Sequence, residues 1–103
     1  MDVSVDPSGM PTLEGVDDFT SLRLTGTAPA TGAARATLAA AGIDLTDDLT
    51  HGHIEPATFS RLAGAAADRP DWQTGLRGML AYAAGKGWTD ETGRIRAHAE
   101  WSS

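Results

Sequence analysis

The segment from Ile95 to Trp101 carries the pattern that most restricts how this chain can fold. Its apolar residues alternate with arginine, histidine and glutamate at every second position. Strict alternation over seven residues is typical of a β-strand that buries one face, because successive side chains point to opposite sides of a sheet. The rest of the chain offers only one or two further candidate strands, and two or three strands do not make a self-sufficient sheet. This strand therefore has to pack on helices of the chain or pair with another chain.

Upstream of this strand, two segments have the apolar spacing and the end signals of helices. Residues 31–41 predict a helix that Thr31 caps and that Gly42, followed by Ile43, closes in a Schellman arrangement. Residues 56–67 predict a second helix, which begins at a proline and stops before the next one because the residue ahead of a proline avoids the α region.

A third helix is predicted to begin at residue 68 or 69 and to end at residue 85 or 87. It has the strongest amphipathic stripe in the chain. The stripe consists of Trp72, Leu76, Met79, Leu80 and Ala83. Gly75 and Gly78 interrupt this helix, each at a cost of about 1 kcal/mol relative to alanine. Such a cost favours close packing against another backbone, and the alternative is that the glycines arose by drift without a packing role.

The rest of the chain has weaker patterns. Residues 19–24 favour a short strand, and residues 44–54 an acidic, irregular segment with a single helical turn that Gly52 breaks. Residues 1–17 predict a flexible or weakly structured arm, or a strand that pairs only where another element supports it. The sequence thus predicts an α+β, helix-dominated fold with about three short helices and one or two short strands, completed by oligomerisation. Residues 18–103 would form a single small helical domain with a C-terminal strand.

Charge and cysteine content exclude several classes of protein. The 14 acidic and 8 basic side chains give a formal net charge of −6. Positions 1–60 hold nine acidic and two basic residues, a net −7, whereas positions 61–103 hold five and six, a net +1. This balance lacks the basic footprint of a nucleic-acid-binding protein and disfavours anionic membrane surfaces. The absence of cysteine excludes a disulfide scaffold, a cysteine-bound zinc or iron–sulfur site and a cysteine nucleophile.

Composition also bears on the source and location of the protein. Alanine fills 18 positions, and seven arginines stand against one lysine, a bias typical of high-GC bacterial genomes. The longest apolar run, residues 79–84, is far shorter than the roughly 20 residues that span a bilayer. The first residues lack the basic and apolar regions of a secretory signal, so we expect a cytoplasmic protein.

The function that these patterns favour is association with another protein chain. Alanine-rich helix faces bury little area, so the core is thin for this length and a homo-oligomer or a protein partner is expected to supply the rest. Tryptophan and tyrosine dominate interface hot spots. The predicted partner-binding surface lies on the third helix and the C-terminal strand and consists of Trp72, Leu76, Met79, Tyr82, Trp88 and Trp101. The protein would be a small accessory subunit or a self-associating binding protein.

A small enzyme or metal-binding protein is the first alternative. In an extended segment His51, His53 and Glu55 share one face, and a His-x-His pair can bind a divalent metal through its imidazole nitrogens. His98 and Glu100 share a face in the last strand and could add ligands. The chain contains no Gly-x-Ser-x-Gly elbow and no phosphate-loop or dinucleotide spacing. Neither a catalytic residue nor a cofactor is therefore predicted.

A winged-helix DNA-binding protein is the second alternative. Residues 56–67 and 70–86, followed by a tryptophan-containing hairpin, resemble such a layout in their order. The third helix would offer only Arg77 and Lys86 as cations, and the wing two arginines. A local net charge of +1 is poor for the release of counterions from DNA, so nucleic acid is not the expected partner.

Overall fold

The structure, a computed structural model, describes residues 1–102. Its strands are β1 (Asp2–Val5), β2 (Pro11–Glu14), β3 (Arg23–Thr27), β4 (Ile43–Leu45), β5 (His51–Ile54) and β6 (Ile95–Ser102). Its helices are α1 (Gly32–Ala40), α2 (Pro56–Ala63) and α3 (Pro70–Gly85), with a 3-10 helix at Gly64–Asp68 between α2 and α3. The six strands form one mixed sheet in the spatial order β2-β1-β3-β6-β5-β4. The pairs β1/β3 and β3/β6 are parallel, and the other pairs are antiparallel.

The predicted helix-dominated fold with one or two strands is wrong, because six strands build the sheet on which the core forms. Four of these strands are only three or four residues long. Segments of that length hold too few residues to display a period of two. Residues 1–17, for which the sequence favoured a flexible or weakly structured arm, contain β1 and β2. The sheet reaches six strands within one chain.

Two glycines that the sequence marked as breakers lie inside strands. Gly26 has a φ of +97°, and a Cβ there would lie 2.8 Å from the backbone nitrogen of Val5 in β1. Gly26 thus continues a strand instead of ending one. The strand predicted at residues 19–24 lies further along the chain, as β3. Gly52 lies in β5, where a Cβ would overlap the side chain of Leu24. The predicted single helical turn at residues 44–54 is instead the hairpin of β4 and β5.

The first and third helices and the C-terminal strand are confirmed, whereas the second helix, predicted at residues 56–67, ends at Ala63 and is followed by the 3-10 helix. Thr31 caps α1 by accepting a hydrogen bond from the Ala34 N–H at 3.1 Å, and Gly42 follows the helix with a φ of +89°. The stripe of α3 is buried at four of its five positions, and Leu80 packs against the core. The C-terminal strand is β6, whose residues alternate between buried and exposed up to position 100.

The core lies between one face of the sheet and the three helices. Ile43, Ile54 and Ile95 stand side by side on β4, β5 and β6, and Phe59 of α2 and Trp72 of α3 are fully buried in the same cluster. The predicted winged-helix layout is wrong as a fold, because β6 pairs with β3 and β5 in the middle of the sheet instead of forming a wing. No helix within residues 1–102 has the length and apolar character to cross a membrane.

Candidate functional site

A pocket of about 320 Å³ opens where β3 and β6 stop pairing. The first paired residues of the two strands are Arg23 and His98, so residues 19–22 run past the start of β6 without joining it. The apolar wall of the pocket consists of Phe19, Leu22, Met79, Tyr82, Ala83, Trp88 and Ile95. The polar wall consists of Thr20, Ser21, His51, Arg96 and His98. The pocket thus joins the C-terminal half of α3 to the face of the sheet that is turned away from the core.

The rim on the helix side is an exposed aromatic pair. Tyr82 is 61% exposed and Trp88 is 40% exposed, and their rings meet edge to face with centroids 5.9 Å apart. Lys86 Nζ lies 5.6 Å from the centroid of the Tyr82 ring. The Trp88 backbone donates to the carbonyl of Ala83 at 2.9 Å and accepts from the Arg96 N–H at 2.7 Å. These bonds tie the rim to both α3 and β6.

Phe19 forms the opposite side of the apolar wall, and a glycine makes room for it. Its ring packs edge to face on Trp72 at 6.0 Å between centroids, and it lies directly over Gly75 of α3. The close packing expected at Gly75 is present, although the neighbour is a side chain and not a backbone. Gly78 has no atom within 4 Å of the position a Cβ would take.

His51 and His98 meet on the polar wall, one from each of two antiparallel strands. They are direct cross-strand partners, and their rings are edge to face with centroids 5.4 Å apart. The neighbouring pair carries a backbone hydrogen bond, from the Ala99 N–H to the Thr50 carbonyl at 2.8 Å. Because the two kinds of pair alternate along an antiparallel ladder, His51 and His98 form a non-hydrogen-bonded pair, the kind whose side chains are closer.

The turn between β4 and β5 orients the His51 ring. Asp48 Oδ1 accepts from the hydroxyls of Thr46 at 2.7 Å and Thr50 at 2.8 Å, and from the Thr50 N–H at 3.1 Å. These bonds lower the pKa of Asp48 to about 2, with the Thr46 hydroxyl contributing most. Thr50 Oγ1 lies 2.9 Å from His51 Nδ1. Since the one hydroxyl proton of Thr50 is donated to the carboxylate, Nδ1 has to be the donor to Thr50, which leaves Nε2 of a neutral ring with its lone pair free.

Most cations near the sheet are neutralised by carboxylates. Arg23 binds Asp2 and Glu100, and Arg94 binds Asp44 and Asp90. Burial alone raises the pKa of Asp90, but hydrogen bonds from Thr92 and Arg94 outweigh it and hold that pKa well below its ordinary range.

Two cations at the pocket differ from these. Arg96 of the polar wall and Lys86 beside the rim are exposed, and within residues 1–102 neither has a carboxylate oxygen within 4 Å. The pocket is therefore a locally cationic place on an acidic chain.

The predicted partner-binding residues separate into two groups. Met79, Tyr82 and Trp88 line the pocket, of which Tyr82 and Trp88 are exposed. The other three residues, Trp72, Leu76 and Trp101, pack in or against the core. The indole N–H of Trp72 donates to the Val16 carbonyl, and that of Trp101 to the Leu49 carbonyl, both at 2.8 Å.

The predicted metal ligands do not come together as a set. His51 and His53 lie on the same face of β5, but Glu55 follows the strand as the N-cap residue of α2. His53 faces Arg96 and Asp44 across the sheet. Within the described part of the chain, no three histidine, aspartate or glutamate side chains are grouped closely enough to hold a metal ion.

Sequence reasoning overlooked the turn residues that orient His51 on the polar wall of the pocket, although the sequence contains a signal for them. The spacing Asp-x-Ser/Thr occurs six times in the sequence, and it marks a turn at four of these positions, Asp6, Asp18, Asp48 and Asp90, whereas Asp2 and Asp44 lie in strands. Each of the four turn carboxylates accepts from the hydroxyl two residues on at 2.6–2.8 Å and from the same residue's N–H at 2.9–3.1 Å. Aspartate side chains that accept hydrogen bonds from the residue two positions on mark tight turns. The repeated spacing could therefore have located the turn that holds His51.

Comparison with protein-family models, with curated proteins and with solved structures finds no match to this chain. The fold and the pocket define a small α+β protein with one mixed sheet and a surface pocket that is partly aromatic and partly cationic. Its function has to be argued from that pocket.

Proposed function

We propose that this protein is a small binding module whose pocket takes an aromatic carboxylate. The observation that carries the proposal is the combination of an apolar, aromatic wall with Arg96, whose guanidinium has no carboxylate partner within residues 1–102. Ligand sites in proteins are concave, mostly apolar, and contain a few polar groups that fix orientation. A volume of about 320 Å³ is at the small end of such sites and suits a ligand of one or two rings.

Each wall supports one part of this ligand. The rings of Tyr82 and Trp88 offer edges and faces for offset contact with an aromatic group. A guanidinium binds a carboxylate through two parallel hydrogen bonds, a geometry that lysine cannot reproduce. Arg23, Arg69 and Arg94 already donate to carboxylates of the chain. Arg96 lines the pocket and has no such partner within residues 1–102, so its donors are free for a ligand.

Binding of 2-naphthoate, compared with the neutral 2-naphthamide, tests the proposal. A ligand of 13 heavy atoms at about 0.3 kcal/mol per atom corresponds to a Kd of about 1 mM, so the titration should extend to several millimolar. We expect naphthoate to shift the amide resonances of the pocket residues in NMR spectra. Replacement Arg96→Gln should weaken binding about tenfold or more, because a charge-assisted hydrogen bond contributes about 1.5–3 kcal/mol.

The matched control is Arg77→Gln, an exposed arginine on α3 that lies outside the pocket wall. This variant should bind naphthoate as the unmodified protein does. Equal affinity for naphthoate and naphthamide, or equal loss in the two arginine variants, would contradict the role given to Arg96.

Association with a second copy of the chain is the second candidate function, and the exposed pair of Tyr82 and Trp88 favours it. The sheet no longer supplies a reason for oligomerisation, because it is formed within one chain. The remaining argument is charge, since Lys86 and Arg96 flank the rim while residues 1–60 of another copy carry a net −7. Sedimentation velocity tests it. A monomer at 100 µM, or a dimer that survives Tyr82→Ala, would exclude this interface. The cytoplasmic location stays a prediction of the sequence.

A further inference from the structure

We propose that His51 and His98 together form a binding site for a divalent transition-metal ion, of the class that includes Ni²⁺, Co²⁺ and Zn²⁺. The site differs from the trio predicted along β5, since it replaces His53 and Glu55 by a histidine of the neighbouring strand. It does not depend on the proposed carboxylate ligand.

The distance between the two rings fits one shared ion. A metal–nitrogen bond of 2.0–2.1 Å puts each imidazole centroid about 3 Å from the ion, so two imidazoles at a tetrahedral angle have centroids about 5 Å apart. The observed separation is 5.4 Å, with the ring planes at 72° to each other. The two residues are a non-hydrogen-bonded pair of β5 and β6, the position at which opposite side chains approach most closely.

His51 also has the outer support that is common to metal-binding histidines. Such a histidine donates its second ring N–H to an acceptor, commonly a carboxylate, which fixes the tautomer and raises the basicity of the ligating nitrogen. Here Nδ1–H donates to Thr50 Oγ1, and the Thr50 hydroxyl donates to Asp48. This chain leaves Nε2 as the nitrogen that is free to bind an ion. Within residues 1–102 neither the ring of His53 nor that of His98 has a hydrogen-bond partner, so this support belongs to His51 alone. His98 is the second ligand because its ring faces that of His51 across the strand pair.

The positive charge next to the pair is partly neutralised by carboxylates. Arg23, next to His98 on β3, is neutralised by Asp2 and Glu100, and Asp48 stands behind Thr50. Arg96 is the remaining positive charge on this wall, two residues along β6. Two imidazoles leave the other coordination positions of the ion to water or to an anion in the pocket, because both rings line it.

Calorimetric titration of the untagged full chain with Ni²⁺, Co²⁺ and Zn²⁺ tests the site. We expect one ion per chain, with Ni²⁺ bound more tightly than Co²⁺, the order that nitrogen ligands impose. His51→Ala and His98→Ala should each abolish the site. Thr50→Val keeps both ligands and removes the outer support of His51, together with the hydroxyl bond to Asp48, so it should lower the affinity about 10–100-fold.

The matched control is His53→Ala, which removes a histidine from the same face of the same strand. It should leave the affinity unchanged. Loss of binding in His53→Ala equal to that in His98→Ala, or binding that survives in His51→Ala, would overturn the proposal, as would the absence of heat with all three ions. Circular dichroism spectra of each variant establish that it is folded. The outcome is separable from that for the aromatic ligand, because Arg96→Gln should keep the metal and naphthoate can be titrated in the presence of a chelator.

Discussion

Replacement of Gly75 by alanine should destabilise the protein, whereas the same change at Gly78 should stabilise it. Both glycines lie inside α3, one turn apart. A Cβ at Gly75 would lie 2.6 Å from Cδ2 and 2.7 Å from Cζ of Phe19, whereas a Cβ at Gly78 would meet nothing within 4 Å. Ordinary carbon–carbon contact is about 3.5–4.0 Å, so the Phe19 ring would have to move by about 1 Å.

The size of the effect follows from two opposing terms. Glycine to alanine in a helix interior contributes about 1 kcal/mol to the free energy of unfolding, and this gain is common to both variants. Overpacking costs about 1–3 kcal/mol, and it applies to Gly75→Ala alone. Part of that cost is the loss of the edge contact between Phe19 and Trp72, since an aromatic pair contributes about 0.5–1.5 kcal/mol to stability. The two variants should therefore differ by about 1–3 kcal/mol.

Urea denaturation followed by tryptophan fluorescence measures both free energies of unfolding. Thermal unfolding should show the Tm of Gly78→Ala above that of Gly75→Ala by at least about 4 °C for a chain of this size. In the background Phe19→Ala the obstacle is gone, and Gly75→Ala should then become stabilising by about 1 kcal/mol. Equal stability of the two glycine variants in the unmodified background would refute the packing of Phe19 on α3, and with it the apolar wall of the pocket.

Three further outcomes test other parts of the structure. Asp48 has a folded-state pKa of about 2, below its ordinary value of 3.8, so its contribution to stability is present above pH 4 and is lost as the pH falls towards 2. Denaturation curves should therefore show that the difference in stability between the unmodified chain and Asp48→Asn shrinks between pH 4 and pH 2. Trp101→Phe removes the hydrogen bond to Leu49 and should cost about 1–2 kcal/mol, with faster amide hydrogen exchange in residues 46–50. Trp88→Ala should lower naphthoate affinity while costing less stability than the roughly 3–5 kcal/mol typical of a buried tryptophan, because Trp88 is 40% exposed.

The long elements could be predicted because each one carries its own evidence. The stripe of α3 extends over three turns and β6 alternates over seven residues, so burial on one side is visible in the order of residues. The short strands carry no such evidence. β4 has three residues, and β5 contains Gly52, a residue that sequence reasoning takes as a break. Only the proximity of Leu24 explains why a glycine is needed there.

The candidate site shows the same division. Sequence spacing groups His51 with His53, because residues two apart share a face of any strand. Strand pairing instead brings His98 to His51, and no local pattern reveals which strands pair or in what register. Tyr82 and Trp88 were recognised as candidate contact residues from their chemistry, but Phe19, which completes their pocket, lies far away along the chain.

The sequence by itself determined the elements whose side-chain periods repeat often enough to be read: the helix caps, the buried stripe of α3, the alternation of β6 and the acidic first 60 residues. The tertiary structure alone decided that six strands of the chain share one sheet and that His51 faces His98. The physical reason is that helices are stabilised by contacts three and four residues apart, whereas strand pairing depends on hydrogen bonds and side-chain contacts between residues distant in sequence.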